Sequence, residues 1–213
     1  MHRRTAVKIL LGTAIVPLAW ACRGATSSAS RAPRRDLYVC DGCEAVAERS
    51  SAGLGWDADL AGADEPGERL ILSGTVYRSD GRTPAAGVVI YAHHTNAAGR
   101  YADGTGETIW SRRHGRLRGW VKTVGDGRYE FRTIKPGIYP GRDNPAHIHL
   151  FVAEPGRRPY WIDDVVFAGE FGVDQRYRRE RENQGGAGIV TLRRASNQTW
   201  LARRDIVLEV HPR

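Results

Sequence analysis

Short runs of strand-forming residues, separated by glycine, proline and aspartate turns, predict an all-β fold for this chain, an antiparallel sandwich or barrel. Three observations lead there. The runs recur from residue 69 almost to the end, the segments between them are rich in turn residues, and only two stretches have a composition suited to helix. At 213 residues, 41% hydrophobic and 26% charged, the chain suits one domain with a sizeable core.

The first 21 residues stand apart. Arg3, Arg4 and Lys8 precede an uncharged run over 9–21 that is too short to span a bilayer comfortably and reads as an export signal. In RRTAVK the paired arginines, Val7 and Lys8 follow the twin-arginine pattern, a route that carries proteins already folded and often loaded with a metal or cofactor. AWAC then offers either a cleavage site at Ala19 and Ala21 or Cys22 as a lipid-acceptor cysteine. The expected location is the periplasm or the outer face of the membrane, with Cys22 as the sole route to a membrane anchor. Residues 22–35 are small, polar and basic, as in a flexible tether, and the folded domain is expected over 36–213.

With Cys22 set aside, Cys40 and Cys43 in CDGC are the remaining cysteines. Two thiols cannot complete a four-cysteine zinc site, and no βαβ pattern follows to suggest a thioredoxin-like centre. In an oxidising compartment a short-loop disulfide is expected, with free thiols or ligation beside a distant histidine as the alternatives. CEAVAERSS, from Cys43, has the alanines and glutamates of a short helix. Strands are expected at RLILSGTVY (69–77), VVIYAHH (88–94), GWVKTV (119–124) and RYEFRTI (128–134), then at AHIHLFV, DDVVFAG, GIVTLRR and DIVLEV. VDQRYRRERENQ (173–184) reads as a second short, peripheral helix stopped by Gly185 and Gly186.

Formal charge is +8, and the signal's three basic residues account for part of it, leaving +5 on the rest. That excess suits an anionic small molecule or a membrane surface. No RNP, zinc-finger or helix-turn-helix pattern accompanies it, so nucleic acid is not an expected partner. A nucleophile elbow, a Walker loop and a dinucleotide fingerprint are likewise missing from the sequence. A homo-oligomer is allowed but not specified.

The chemistry concentrates in GIYPGRDNPAHIHLFV (137–152). His147 and His149 are two apart in a strand and so project to one face, a preset imidazole pair suited to a metal or a shared anion. Zinc, copper and iron all remain open for such a pair. Tyr139 sits in a turn stiffened by Pro136 and Pro140 and bent at Gly137 and Gly141; a second tyrosine, Tyr101, follows a similar turn in TNAAGRYADG. Two phenolates beside two imidazoles are hard, anionic and electron-donating, which favours Fe(III). Of His93 and His94, at a strand end, alternation predicts one in the core and one on the surface. His114, in SRRHGRLRG, is expected in a solvated basic loop between the two tyrosines. Trp110, Trp120, Trp161 and Trp200 are expected in the core or over the rim of the site.

Taken in order, NAAGRYADG, DGRYEFRTIKPGIYP, PAHIH and RDIVL resemble the intradiol ring-cleavage dioxygenases, the family of protocatechuate 3,4-dioxygenase and catechol 1,2-dioxygenase. RLILSGTVYRSDGRTPAAGVVIYAHHTNAAGRY resembles the family's opening strands, and the resemblance runs over about 66–210. It implies an immunoglobulin-like antiparallel β-sandwich whose loops hold one non-haem Fe(III). By position Tyr101, Tyr139, His147 and His149 match the protein ligands. It further implies a catechol-type substrate and O2, with Tyr139 leaving the metal and accepting a substrate proton. The product would be a muconate-type diacid carrying both oxygen atoms.

Two positions depart from the family pattern. Asn144 stands where an arginine precedes the first histidine by three residues, and Arg142, two further upstream, becomes the candidate to stabilise charge on the bound catechol. Asp164 aligns with a family glutamine; an ionised aspartate donates no hydrogen bond, so it is expected to pair with Arg142 or to cap a strand. The departures keep a second reading in play, a catalytically idle exported sandwich that binds aromatics or a protein partner. A zinc or copper hydrolase built on the histidine pair is weaker, since no carboxylate base stands at a suitable spacing in the sequence.

Overall fold

Alternation along Arg69–Tyr77 shows how the chain builds its core. Leu70, Leu72 and Val76 are buried, while the residues between them are half-exposed, the pattern of a strand with one face on the core. The structure, a computed structural model, describes residues 32–102, 108–141 and 144–212. Along the chain come β1 (Asp57–Asp59), β2 (Arg69–Tyr77), β3 (Val89–His94), α1 (Ile109–His114), β4 (Arg118–Lys122), β5 (Arg128–Ile134), β6 (His147–Ala153), β7 (Tyr160–Phe167), α2 (Gln175–Arg179), β8 (Ile189–Val190), β9 (Arg193–Arg194), β10 (Trp200–Arg203) and β11 (Ile206–Val207).

These strands form two sheets. One has the order β1-β5-β2-β10-β9, with β11 also on β2, and the other β4-β3-β6-β7-β8. The expected all-β sandwich is what the chain forms. Its long ladders, β2 with β5, β3 with β4 and β6, and β6 with β7, are antiparallel. Short strands add parallel pairs: β1 on β5, β10 and β11 on β2, and β8 on β7. Between the sheets lie Leu70, Leu72, Phe131, Ile90, Ile148, Leu150 and their neighbours. A smaller cluster covers the outer face of the second sheet, where Tyr91, Trp120 and Phe151 pack with Cys43, Ala45 and Val46. Trp110 and Trp161 join that outer cluster and Trp200 packs on the main core.

β3 is therefore buried on both faces, and this corrects the expectation for its two histidines. His94 turns into the core, where its ring bonds Thr133 Oγ1 at 2.6 Å and the carbonyl of Thr95 at 2.7 Å. His93 faces the other way and is still only 4% exposed, because α1 lies over it.

The short α1 replaces the solvated loop expected around His114. Thr108 accepts from the Ser111 backbone N–H, and the Ser111 hydroxyl accepts from the Thr108 N–H, closing a capping box. His114, at the end of this helix, is buried and hydrogen-bonded to Tyr91 at 2.9 Å. The segment after Cys43 is a 3₁₀ helix, Cys43–Glu48, beside a disulfide joining Cys40 and Cys43. α2 is shorter than the expected 173–184. Asp174 caps it, but none of its residues is buried, so local bonds alone sustain a single turn.

The proposed signal and Cys22 lie outside the described residues, as do most of the tether and Arg142. Ordered contacts begin two residues ahead of the expected boundary. Arg34 bonds the Val210 and Trp161 carbonyls and stacks on the Trp161 ring. Among the described residues no helix is long and apolar enough to cross a membrane.

Candidate metal centre

Two glycines bring the tyrosine-bearing turns together. Gly99 has φ +72°, and a Cβ there would stand 1.7 Å from the Ile138 carbonyl oxygen. A Cβ on Gly137 would come within 2.3 Å of the Ala97 carbonyl oxygen. With no side chain at either position the turns interlock: Gly137 N–H donates to the Asn96 carbonyl at 3.0 Å, and the Thr95 hydroxyl donates to the Gly137 carbonyl at 2.9 Å. Asn96 braces the first turn, its side-chain oxygen accepting from the N–H groups of Ala98 and Arg100. Tyr101 and Tyr139 leave these turns with their hydroxyls 2.5 Å apart.

The histidines arrive from β6 on the same end of the second sheet. His149 Nε2 lies 3.0 Å from the Tyr101 hydroxyl, 3.4 Å from the Tyr139 hydroxyl and 3.1 Å from His147 Nε2. The four expected ligand residues thus meet at one point. Arg142 falls outside the described residues, so the expected Arg142–Asp164 pair is not described.

The hydrogen bonds on the far side of each ring say which nitrogen carries the proton. His147 Nδ1 sits 2.7 Å from the Pro145 carbonyl, which can only accept, so Nδ1 donates and Nε2 keeps its lone pair. His149 Nδ1 is 2.9 Å from Asp164 Oδ1 and donates to that carboxylate, leaving its Nε2 bare as well. The two bare nitrogens stand 3.1 Å apart with no proton between them and repel one another, while the Tyr101 hydroxyl, at 3.0 Å, can donate to His149 Nε2; a cation among the four would relieve the nitrogen contact. For an ion about 2.0–2.1 Å from each donor, neighbouring donors at 90–120° stand about 2.9–3.6 Å apart; the contacts of His149 Nε2, 3.0 to 3.4 Å, fall in that range, and the two phenol oxygens, 2.5 Å apart, stand closer. The donor set fits a ferric ion in chemistry as well as in size, with hard phenol oxygens and imidazoles together.

Asp164 caps no strand; it holds His149. Its oxygen and the two imidazole nitrogens lie within 4.8 Å of one another, so a histidine–histidine–aspartate site is geometrically open too. The bond to His149 Nδ1 decides against it, since Asp164 stands on the opposite edge of the ring from Nε2 and orients the ligand. The sequence showed no carboxylate placed for the histidine pair; pairing of β6 with β7 supplies it from fifteen residues away.

Electrostatics follow burial. Burial, then the hydrogen bond to Tyr139, push the Tyr101 phenol far above its ordinary value, and a bound cation would reverse that. Burial and then neighbouring His149 lower His147, favouring the neutral, ligating ring. Burial works to raise Asp164, but the His149 ring and its hydrogen bond hold the carboxyl below its usual value.

Behind His149 lies a stack that sequence reasoning missed. The His93 ring stacks on His149 at 4.5 Å and on His114 at 3.8 Å with the planes 1° apart, and Trp110 closes over His114 at 5.2 Å. Burial lowers His93 well below the ordinary histidine value and takes His114 to about 4, so the stack is uncharged. For His93 the strand alternation with Tyr91 was an available signal. For His114 none existed, because its burial depends on α1 docking.

The family model Dioxygenase_C, described as dioxygenase, matches residues 56–175, more than half of the chain. Catechol 1,2-dioxygenase of Acinetobacter baylyi is 31% identical over 183 residues, 72% of this chain and 54% of that protein. Catechol 1,2-dioxygenase 1 of Acinetobacter lwoffii is 39% identical over 113 residues, 45% of this chain and 35% of that one. Among solved structures, the dioxygenase domain of a dioxygenase carbohydrate-binding protein fusion from Streptomyces sp. SirexAA-E superposes with a TM-score of 0.54 at 27% identity, covering 71% of this chain and 86% of that chain. Catechol 1,2-dioxygenase from Acinetobacter sp. ADP1 gives 0.52 at 25% identity, covering 72% and 56%. The chain belongs to the intradiol ring-cleavage dioxygenase family. It spans about a third to just over half the length of the curated relatives it matches.

Proposed function

We propose that this chain is a non-haem ferric dioxygenase that opens the ring of a catechol-type aromatic between its two hydroxylated carbons, placing both atoms of O2 in a muconate-type diacid. The observation that carries this is the convergence of Tyr101, Tyr139, His147 and His149, with both imidazoles held in the ligating tautomer. These four would hold the iron. Bound Fe(III) would supply Lewis acidity and a template for catechol and O2.

The remaining steps belong to the protein. Tyr139, half-buried at the mouth, is placed to take a proton from a catechol hydroxyl onto its phenol oxygen. Asp164 keeps His149 oriented, and the His93–His114 stack excludes water behind it. The sandwich holds the donors on two ladders and two interlocked turns, so little reorganisation accompanies substrate binding. Export by the twin-arginine route accords with a cofactor loaded before translocation.

Purified protein from iron-replete cells is expected to be burgundy or reddish from phenolate-to-iron charge transfer, and Tyr139→Phe is expected to change that colour. It should consume O2 with members of a catechol panel that includes carboxylated and fused-ring compounds. Colourless, iron-free protein would overturn the ferric reading. Coloured protein without O2 uptake would favour the idle, aromatic-binding sandwich that Asn144 suggests.

A further inference from the structure

The bond from His149 to Asp164 depends on an irregularity in β7. Register between β6 and β7 shifts by one residue at His149: Ile148 faces Val165, whereas Leu150 faces Ile162. Two consecutive residues of β7, Asp163 and Asp164, therefore stand opposite one residue of β6, which is a β-bulge. Residues opposed across an antiparallel pair project to one face, so the folding of the bulge decides which aspartate is the neighbour of His149. Asp164 has that place, with its Oδ1 2.9 Å from His149 Nδ1.

What fixes the bulge comes from the other sheet. Asp163 turns its main chain away from β6: its N–H donates to the Gln184 carbonyl at 3.0 Å, and its carbonyl accepts from Arg204 Nη1. Arg204 Nη2 donates to the same Gln184 carbonyl at 3.3 Å. Arg204 lies between β10 and β11, and its own backbone belongs to the first sheet. Its N–H donates to the Ser73 carbonyl of β2 at 2.9 Å, and its carbonyl accepts from the Tyr129 hydroxyl of β5 at 2.8 Å. A Cβ on Gly74 would stand 1.8 Å from that carbonyl oxygen, so the chain lies directly on β2. From there the side chain crosses the sandwich to β7.

Arg204 is 1% exposed and lies outside the span matched by the family model. A cation is costly to bury unless its donors are taken and opposite charge lies near. Burial works against the charge, and Tyr129, Asp164 and Asp163 act in its favour. An apolar side chain of the same length would fill the space without that cost. It would leave the Asp163 carbonyl with no donor from this side.

We propose that Arg204 is a positioning residue of the candidate metal centre: by holding the Asp163 carbonyl it fixes the β7 bulge that aims Asp164, rather than Asp163, at His149. This rests on the metal-centre reading above. Arg204 acts through Asp164, so its contribution to metal binding exists only while that carboxylate is present.

The test is a double-mutant cycle read as iron affinity, by chelator competition at the phenolate charge-transfer band. Arg204→Met is expected to weaken iron binding about tenfold, and Arg204→Lys, which keeps the charge and a donor, to stay within about threefold of the unaltered protein. In the Asp164→Ala background the same Arg204→Met change should alter affinity by less than about twofold. A merely structural arginine would cost the same in both backgrounds, and that result would overturn the proposal. In metal-free protein carrying nitrogen-labelled histidine, the His149 Nδ1 proton should resonate far downfield, as in a bond to a carboxylate, and move upfield in Arg204→Met but not in Arg204→Lys. A resonance unmoved in Arg204→Met would also overturn it. Arg204→Gln, polar but too short to reach Asp163, gives the same readings should Arg204→Met not fold. Protein that binds no iron in any form removes the metal-centre reading, while the Nδ1 proton still decides whether Arg204 positions Asp164.

Discussion

Replacing Asp164 tests how the candidate centre is assembled. The carboxylate accepts from His149 Nδ1 at 2.9 Å, a charge-assisted bond in a half-buried setting. Such a bond contributes about 1.5–3 kcal/mol, and partial exposure favours the lower part of that range. A partner of this kind typically changes metal affinity about 10–100-fold, which is about 1.4–2.7 kcal/mol. Asp164→Asn keeps an oxygen to accept from Nδ1 and loses only the charge, so about tenfold weaker iron binding is expected. Asp164→Ala also releases the ring and its tautomer, and about 100-fold is expected. The assay is competition with a chelator, followed at the phenolate charge-transfer band. Were Asp164 itself a ligand, Asp164→Ala would fail to hold iron as His149→Ala does. That outcome, or affinity unchanged in both Asp164 variants, would refute the reasoning.

Two more outcomes follow from the same structure. Burial takes His94 to about 4 in the fold, against about 6.5 when unfolded. The unfolded chain therefore binds the proton first, and the His94 contribution to stability, present above about pH 6.5, should fall by about 3 kcal/mol towards pH 4, with His93 and His114 adding losses of the same sign. Urea midpoints across that range should show a flatter slope in His94→Gln; an identical slope would exclude His94 as the cause. Gly99→Ala meets the Ile138 carbonyl at positive φ and should cost more than about 2 kcal/mol and the iron band with it. Gly141→Ala, at φ +69° with nothing within 4 Å, should cost only about 1 kcal/mol and keep the band. Equal losses in thermal melts would contradict the interlocked turns.

Local chemistry alone determined much of this protein. Strand-forming runs between turns specify two sheets, and a histidine pair two apart on a strand shares a face whatever lies around it. Phenols in glycine-proline turns and imidazoles together narrow the ion they suit. What the linear order does not contain is which turns meet. The approach of Tyr101 to Tyr139 depends on two glycines from different turns each accepting the other's backbone. Asp164 reads as a partner for Arg142 or a strand cap until β6 and β7 pair and bring it to His149. His93 and His114 read as a strand-end residue and a solvated loop residue until α1 docks and stacks their rings. Periodicity and composition act over a few residues, whereas these contacts are made across dozens, and only the packed sandwich brings their partners within reach.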